Sequence, residues 1–144
     1  MAASSAPRNA PARAKPWPDQ GLVVAAIIPC LDEEPAIGQV VTAVLAQNVS
    51  EVVVVDGGSR DATAERAQAA GARVIVELRH GYGRAIQTGI AKLRDAEIVI
   101  FLDGDGSDPA ELIPELVAPI VTGQAVFVLG SRVRGSREPG SLAP

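Results

Sequence analysis

Ile98, Val99, Ile100, Phe101 and Leu102 run straight into Asp103 and Asp105, two carboxylates one residue apart. Burying such groups unpaired costs several kcal/mol, so they belong at an open strand end facing a cation. In an open α/β sheet the carboxyl ends of the strands line the ligand crevice. An Asp-x-Asp pair at that edge can hold Mg²⁺ or Mn²⁺ through one or two oxygens and leave other positions to substrate phosphates. Gly104 and Gly106 allow a sharp turn and the close approach of a bulky ligand. An isolated Asp-Gly-Asp is equally an ordinary polar turn after a strand, so its surroundings must decide.

Two further apolar runs end in acids and turn formers. One is Pro29-Cys30-Leu31-Asp32-Glu33 and the other is Asp56-Gly57-Gly58-Ser59. Three acidic strand ends on one sheet edge suit a metal together with donor hydroxyls and base N–H groups. Two rival motifs fare worse. Asp103-x-Asp105-x-Ser107 begins like a calcium loop, but the sixth and twelfth places, which need Gly and Glu, hold Asp108 and Pro114. Gly81-x-Gly83, with Asp103 some way downstream, begins like a dinucleotide fingerprint. Its third glycine place holds Ile86, and it sits in the third strand–helix unit rather than the first. His80 reads as a surface histidine and Cys30 as a buried thiol.

These residues need a scaffold, and the pattern supplies one. Residues 22–28 form a continuous apolar run stopped by Pro29, as for a parallel strand covered on both faces. Pro35 opens a helix whose apolar face is Ile37, Val40, Val41, Val44 and Leu45. Strands are also expected at 52–55, 73–78, 97–102 and 125–129. Between them lie an alanine-rich helix capped by Asp61 and ending at Gly71, a helix from Gly81 to about Arg94, and a helix capped by Asp108 and ended or kinked by Pro119. Such alternation implies right-handed crossovers and a mostly parallel sheet.

The 144 residues suit one domain. A net charge of −4 without a basic run excludes a general nucleic-acid binder. One cysteine excludes an intrachain disulfide and makes a reducing compartment the default. The longest apolar run is too short to span a bilayer. Residues 1–20 read as a disordered tail, not a secretory signal, and residues 133–144 as loop or disorder.

Four stretches carry a resemblance. They are Ile27-Ile28-Pro29-Cys30-Leu31-Asp32-Glu33-Glu34, Val53-Val54-Val55-Asp56-Gly57-Gly58-Ser59-Arg60-Asp61, Gly81-Tyr82-Gly83-Arg84-Ala85, and Phe101-Leu102-Asp103-Gly104-Asp105-Gly106-Ser107-Asp108-Pro109. In this order and spacing, residues 21–132 resemble the N-terminal, nucleotide-sugar-binding half of a family 2 glycosyltransferase with the GT-A fold. The dolichol- or polyprenyl-phosphate mannosyl- and glucosyltransferases look nearest. The resemblance implies a Rossmann-like α/β sandwich, a mostly parallel sheet with helices on both faces. It implies Mg²⁺- or Mn²⁺-dependent transfer of a hexose, with inversion, from a GDP-mannose or UDP-glucose type donor. The acceptor would be polyprenyl phosphate or another group, reached from the cytoplasm at the membrane face.

The roles follow residue by residue from that resemblance. Pro29 and Glu33 would line the nucleotide pocket, and Asp56 would accept a hydrogen bond from the base. Asp103 would sit near the ribose or metal, and Asp105 would be the main metal ligand and catalytic centre. Arg84 and Arg132 would face the diphosphate. The chain departs from the pattern at Gly57, where many members carry a second acid, and at Tyr82, where relatives are often basic. The family's acceptor half is expected to be missing after the expected fifth strand. The chain is therefore expected to bind donor but transfer sugar poorly or not at all, and to be marginally stable or self-associating because of the exposed edge after Leu129. The alternatives are a non-catalytic nucleotide-sugar-binding module and an NAD-dependent oxidoreductase.

Overall fold

Four runs of β-branched and apolar residues become four strands, β1 (Val24–Cys30), β2 (Glu51–Asp56), β3 (Arg73–Val76) and β4 (Ile98–Phe101). The computed structural model describes Trp17 and residues 21–131. The strands pair in parallel in the order β3-β2-β1-β4. Between and after them lie α1 (Glu34–Leu45), α2 (Thr63–Ala69), α3 (Tyr82–Ala91) and α4 (Ile113–Val121), the last entered through a 3-10 turn at Ala110–Leu112. The architecture is the expected α/β sheet with helices on both faces.

β1 is central, and its residues 24–28 are buried without alternation because both faces are covered. On one face Ala26, Ile28, Val52, Val54, Ile98 and Ile100 share a core with Ile37, Val41 and Val44 of α1, Ala67 of α2 and Ile113 and Val117 of α4. On the other, Ile27, Val53 and Val55 lie under Ala85 and Ile86 of α3. Trp17 joins the first core at 4 % exposure. It falls within the stretch expected to be a solvated tail, and its large apolar ring outweighs the polar composition around it.

Helix ends follow local chemistry. The Gly71 N–H donates to Gln68 O and the Ala72 N–H to Ala67 O, with Gly71 at φ +109°. The Gly123 N–H donates to Ile120 O and the Gln124 N–H to Pro119 O, with Gly123 at φ +75°. Both are Schellman closures, which need a left-handed residue just past the helix. α4 therefore runs two residues past Pro119 and ends for a different reason from the one expected.

Four expectations are corrected here. Asp61 is not the N-cap of α2; Ala62 is, and Asp61 instead accepts the Thr63 N–H at 3.0 Å and the Glu34 N–H at 3.2 Å. β1 does not stop at Pro29 but runs through it to Cys30, pairing Pro29 with Val55. Its pairing with β4 ends at Ile27↔Phe101, so the missing Pro29 N–H removes no bond from that ladder. Asp108 is not the N-cap; Pro109 is, and Asp108 instead accepts the Asp103 N–H at 2.9 Å. Residues 125–129 form no strand, because a strand exists only through a partner and none adjoins them among the described residues. Val126, Phe127 and Leu129 stand 98, 73 and 79 % exposed.

α3 approaches the sheet through Gly89. A Cβ there would meet Ile27 Cγ2 at 2.7 Å and Val55 Cγ2 at 3.1 Å, both on stiff β-branched residues of central strands. Gly89→Ala is therefore expected to destabilise the fold. Overpacking costs of about 1–3 kcal/mol outweigh the ~1 kcal/mol that alanine gains as a helix former. Gly83 in the same helix has nothing within 4 Å of its would-be Cβ. Gly83→Ala should thus hold or raise the urea midpoint, while Gly89→Ala lowers it; equal midpoints would contradict this packing.

Candidate functional site

The carboxyl ends of β1, β2 and β4 lie side by side. Cys30 pairs with Asp56 in register, and the Leu102 N–H donates to Ile27 O at 3.2 Å. The turn after β4 docks on β1 through Gly104, which is buried. A Cβ at Gly104 would meet Cys30 Cβ at 3.0 Å and Ile28 Cγ2 and Ile37 Cδ1 at 3.5 Å. Gly104 is thus required for space, whereas the turn itself uses Gly106 at φ +82°. Asp103, half-buried, and Asp105, exposed, are held on either side of this contact. Asp105 Oδ1 accepts the Ser107 N–H at 2.9 Å.

The loop after β1 and the loop after β2 are bonded to each other in both directions. The Asp32 N–H donates to Ser59 Oγ at 2.9 Å, the Glu33 N–H to Thr63 Oγ1 at 2.9 Å, and the Glu34 N–H to Asp61 Oδ2 at 3.2 Å. In return the Arg60 N–H donates to Asp32 Oδ1 at 2.8 Å and the Ala62 N–H to Glu34 Oε2 at 3.3 Å. Asp32 takes a left-handed φ of +52°, which aspartate tolerates better than most residues. Asp56 ends β2 at 4 % exposure, and its carboxylate accepts the Ser59 N–H at 3.1 and 3.3 Å and the Ser59 hydroxyl.

The electrostatics show that these loops share one field. Burial raises the Glu33 carboxyl above its ordinary value, and Asp105, Asp61, Asp103 and Asp32 push it further. Asp61 is held below its ordinary value, chiefly by the Thr63 hydroxyl and then by backbone N–H groups. Burial, followed by Asp56, Glu33 and Asp61, pushes the Cys30 thiol up to about 12, so it stays protonated and unreactive. The Tyr82 phenol is raised by burial and then by the charges of Asp103 and Asp108.

This rim suits a dication. Carboxylates that raise one another's proton affinity are relieved by a metal in their midst. Among the described residues no three metal-binding side chains converge, so the remaining coordination positions would go to water or ligand oxygens. Mg²⁺ and Mn²⁺ accept such sites, held by one or two carboxylates and completed by phosphates.

Of the expected site residues, Pro29, Glu33, Asp56, Asp103 and Asp105 come together at this edge. Arg84 stands exposed in the first turn of α3. Arg132 lies outside the described residues. Two groups escaped the sequence reading. Ser59 and Thr63 bind the neighbouring loop, a role with no signal in linear spacing. Glu77, a fourth acid at a strand end, follows Val74-Ile75-Val76, so its signal was present.

The profile described as Glycosyl transferase family 2 matches residues 25–144. The chain is 37 % identical over 126 residues to glucosyl-3-phosphoglycerate synthase from Mycolicibacterium paratuberculosis, covering 79 % of this chain and 38 % of that protein. It is 33 % identical over 127 residues to glycosyltransferase AglJ from Haloferax volcanii, covering 88 % and 40 %. A crystal structure of glucosyl-3-phosphoglycerate synthase from Mycobacterium tuberculosis, in complex with Mn²⁺, UDP-glucose and phosphoglyceric acid, superposes with a TM-score of 0.64 at 31 % identity. That match covers 72 % of this chain and 41 % of the other. The chain thus spans about two fifths of the length of these relatives.

The crowding around Glu33 gives a prediction with a definite sign. A raised carboxyl pKa means that the folded state disfavours the charge, so the penalty grows as pH rises above the unfolded value of about 4.3. Without metal at pH 7, Glu33→Gln should raise the melting temperature by on the order of 2 °C. The gain should vanish below about pH 4, where Glu33 is protonated in either state. A gain that persists unchanged in acid would show that charge crowding is not its cause.

Proposed function

The chain belongs to glycosyl transferase family 2, and on that footing we propose that its acidic strand ends bind a nucleotide-diphosphate sugar for transfer of the hexose, with inversion, to a phosphate-bearing acceptor. The observation that carries this reading is geometric: strand register, the Gly104 contact on Cys30 and the bonds from residues 32–34 to Ser59, Thr63 and Asp61 set carboxylates from three strand ends along one edge. Asp105, with Asp103, holds Mg²⁺ or Mn²⁺. A dication bound there neutralises the departing diphosphate, worth several kcal/mol at the transition state.

The chain's own residues do the rest. Asp56 reads the base: its carboxylate accepts one Ser59 N–H, shared between both oxygens, and the Ser59 hydroxyl on Oδ1, and a base N–H adds on the Oδ2 side. Pro29 and Glu33 line the nucleotide pocket, and the backbone of both is fixed, by the β1–β2 ladder and by the Thr63 hydroxyl respectively. Arg84, exposed in the first turn of α3, supplies positive charge for the diphosphate.

UDP-glucose is the donor favoured, because the similar Mycobacterium tuberculosis structure holds UDP-glucose with Mn²⁺. For the acceptor, the relatives' names point to phosphoglycerate, and nothing in them supports polyprenyl phosphate. Both are phosphate esters, and that class is the acceptor proposed. Among the described residues no helix is long and apolar enough to cross a membrane. Attachment at a membrane face from the cytoplasmic side belongs to the polyprenyl arm alone.

Thermal protection and transfer test this together. Saturating UDP with Mn²⁺ should raise the melting temperature, since ligand at 100-fold its Kd adds about 2.7 kcal/mol. EDTA or Asp105→Asn should remove that protection, while Asp56→Ala should weaken UDP binding and leave Mn²⁺ binding. Protection unchanged in EDTA would defeat the metal role, and protection by NAD instead of UDP would favour the oxidoreductase alternative. Radiolabelled UDP-glucose offered with 3-phosphoglycerate or with polyprenyl phosphate in vesicles separates the two acceptors.

A further inference from the structure

Glu77 sits just past β3, at 8 % exposure, and its carboxylate is gripped from two directions. Oε1 accepts the Arg79 N–H at 3.0 Å and Arg79 Nε at 2.9 Å, and Oε2 accepts Arg79 Nη2 at 2.6 Å. The Thr88 hydroxyl, well inside α3, donates to Oε2 at 2.7 Å. The Glu77 N–H donates to Asp56 O at 2.9 Å, so the same residue is anchored to the end of β2. These bonds tie β2, the loop after β3 and the body of α3 at one point.

The loop so tied lies against the candidate site. Leu78 Cδ2 packs so close to Gly58 that a Cβ there would lie 2.8 Å away, which seats the loop on the Asp56–Ser59 turn. Residues 82–84 follow at once as the first turn of α3, entered through Gly81 at φ +124°.

We propose that Glu77 is a positioning residue for the donor: by gripping Arg79 and Thr88 it holds residues 78–84 on the Asp56 turn, so that Tyr82 and Arg84 stand over the diphosphate. This rests on the donor-site reading above. Glu77 touches no ligand itself. The bidentate hold on Arg79 matters because a planar fork fixes orientation where a point charge does not.

The test measures UDP affinity with Mn²⁺, together with amide hydrogen exchange, in the wild type and in Glu77→Gln, Arg79→Ala and Arg79→Lys. Arg79 is two-thirds exposed, so its removal spares the core. Arg79→Ala should weaken UDP binding roughly tenfold, the lower end for losing an outer partner of a binding group. Arg79→Lys should recover part of that loss, and Glu77→Gln should fall between. Exchange should rise at residues 78–84 while the amides of β1 and β2 stay protected. Affinity within twofold of wild type in both Arg79→Ala and Glu77→Gln would overturn the proposal. So would a loss that accompanies equal loosening of β1 and β2, since that is a stability effect. A wild type that fails to bind UDP defeats the donor-site reading and this inference with it, whereas unaffected variants defeat this inference alone.

Discussion

Everything at the candidate site depends on the reciprocal bonding between the loop after β1 and the loop after β2. Each loop has open groups of its own: Asp32 is left-handed, and the Glu34 N–H at the start of α1 finds its partner outside the helix, on Asp61. Each loop answers the other's open groups. Asp32, Glu33 and Glu34 give N–H groups to Ser59, Thr63 and Asp61, and Asp32 and Glu34 take N–H groups from Arg60 and Ala62. Such bonds contribute about 0.5–1.5 kcal/mol each, and more where a carboxylate accepts. Asp61 lies below its ordinary value chiefly through the Thr63 hydroxyl in its own loop, with the Glu34 N–H of the other loop adding to it, so its share of stability is lost as pH falls through the acid range.

That bonding also sets the charge balance of the rim. It holds Asp32 and Asp61 where they crowd Glu33, while the Gly104 contact with Cys30 brings Asp103 and Asp105 against the same group. The acids are drawn together by packing and hydrogen bonds that favour the fold, and their mutual repulsion is the cost. A cation offsets that cost, which links stability of the free chain to ligand chemistry. Cys30 beneath the rim is part of the packing and not of the chemistry, its thiol locked protonated by burial and acid neighbours.

The sequence disclosed what is local. The apolar face of α1 reads directly as Ile37, Val40, Val41, Val44 and Leu45, of which the first four are buried and Leu45 packs half-buried against the core. The unbroken run in β1 and the β-branched run in β2 identify central parallel strands, and Gly71 stands at its helix end as expected, whereas α4 closes at Gly123 and not at Pro119. What was illegible depends on partners. Residues 125–129 have strand composition but no neighbour to pair with, and Pro29 looks like a stop until the end of its β4 ladder is known. Asp108 has the type of a helix cap and serves the Asp103 N–H instead. Ser59 and Thr63 bond across 27 and 30 residues, a separation no spacing rule reports. The acids of the rim were legible by type; the hydroxyls that fix them were not.

Amide hydrogen exchange of the ligand-free chain tests the account's central claim most directly. The amides of Asp32, Glu33, Glu34 and Arg60 lie in irregular loop or at a helix start, where no regular ladder protects them. If the two loops are bonded as described, these amides exchange slowly and in step with those of β1 and β2. Exchange at unprotected rates, with the sheet amides still slow, would show that the rim is assembled only when ligand binds and would contradict the account.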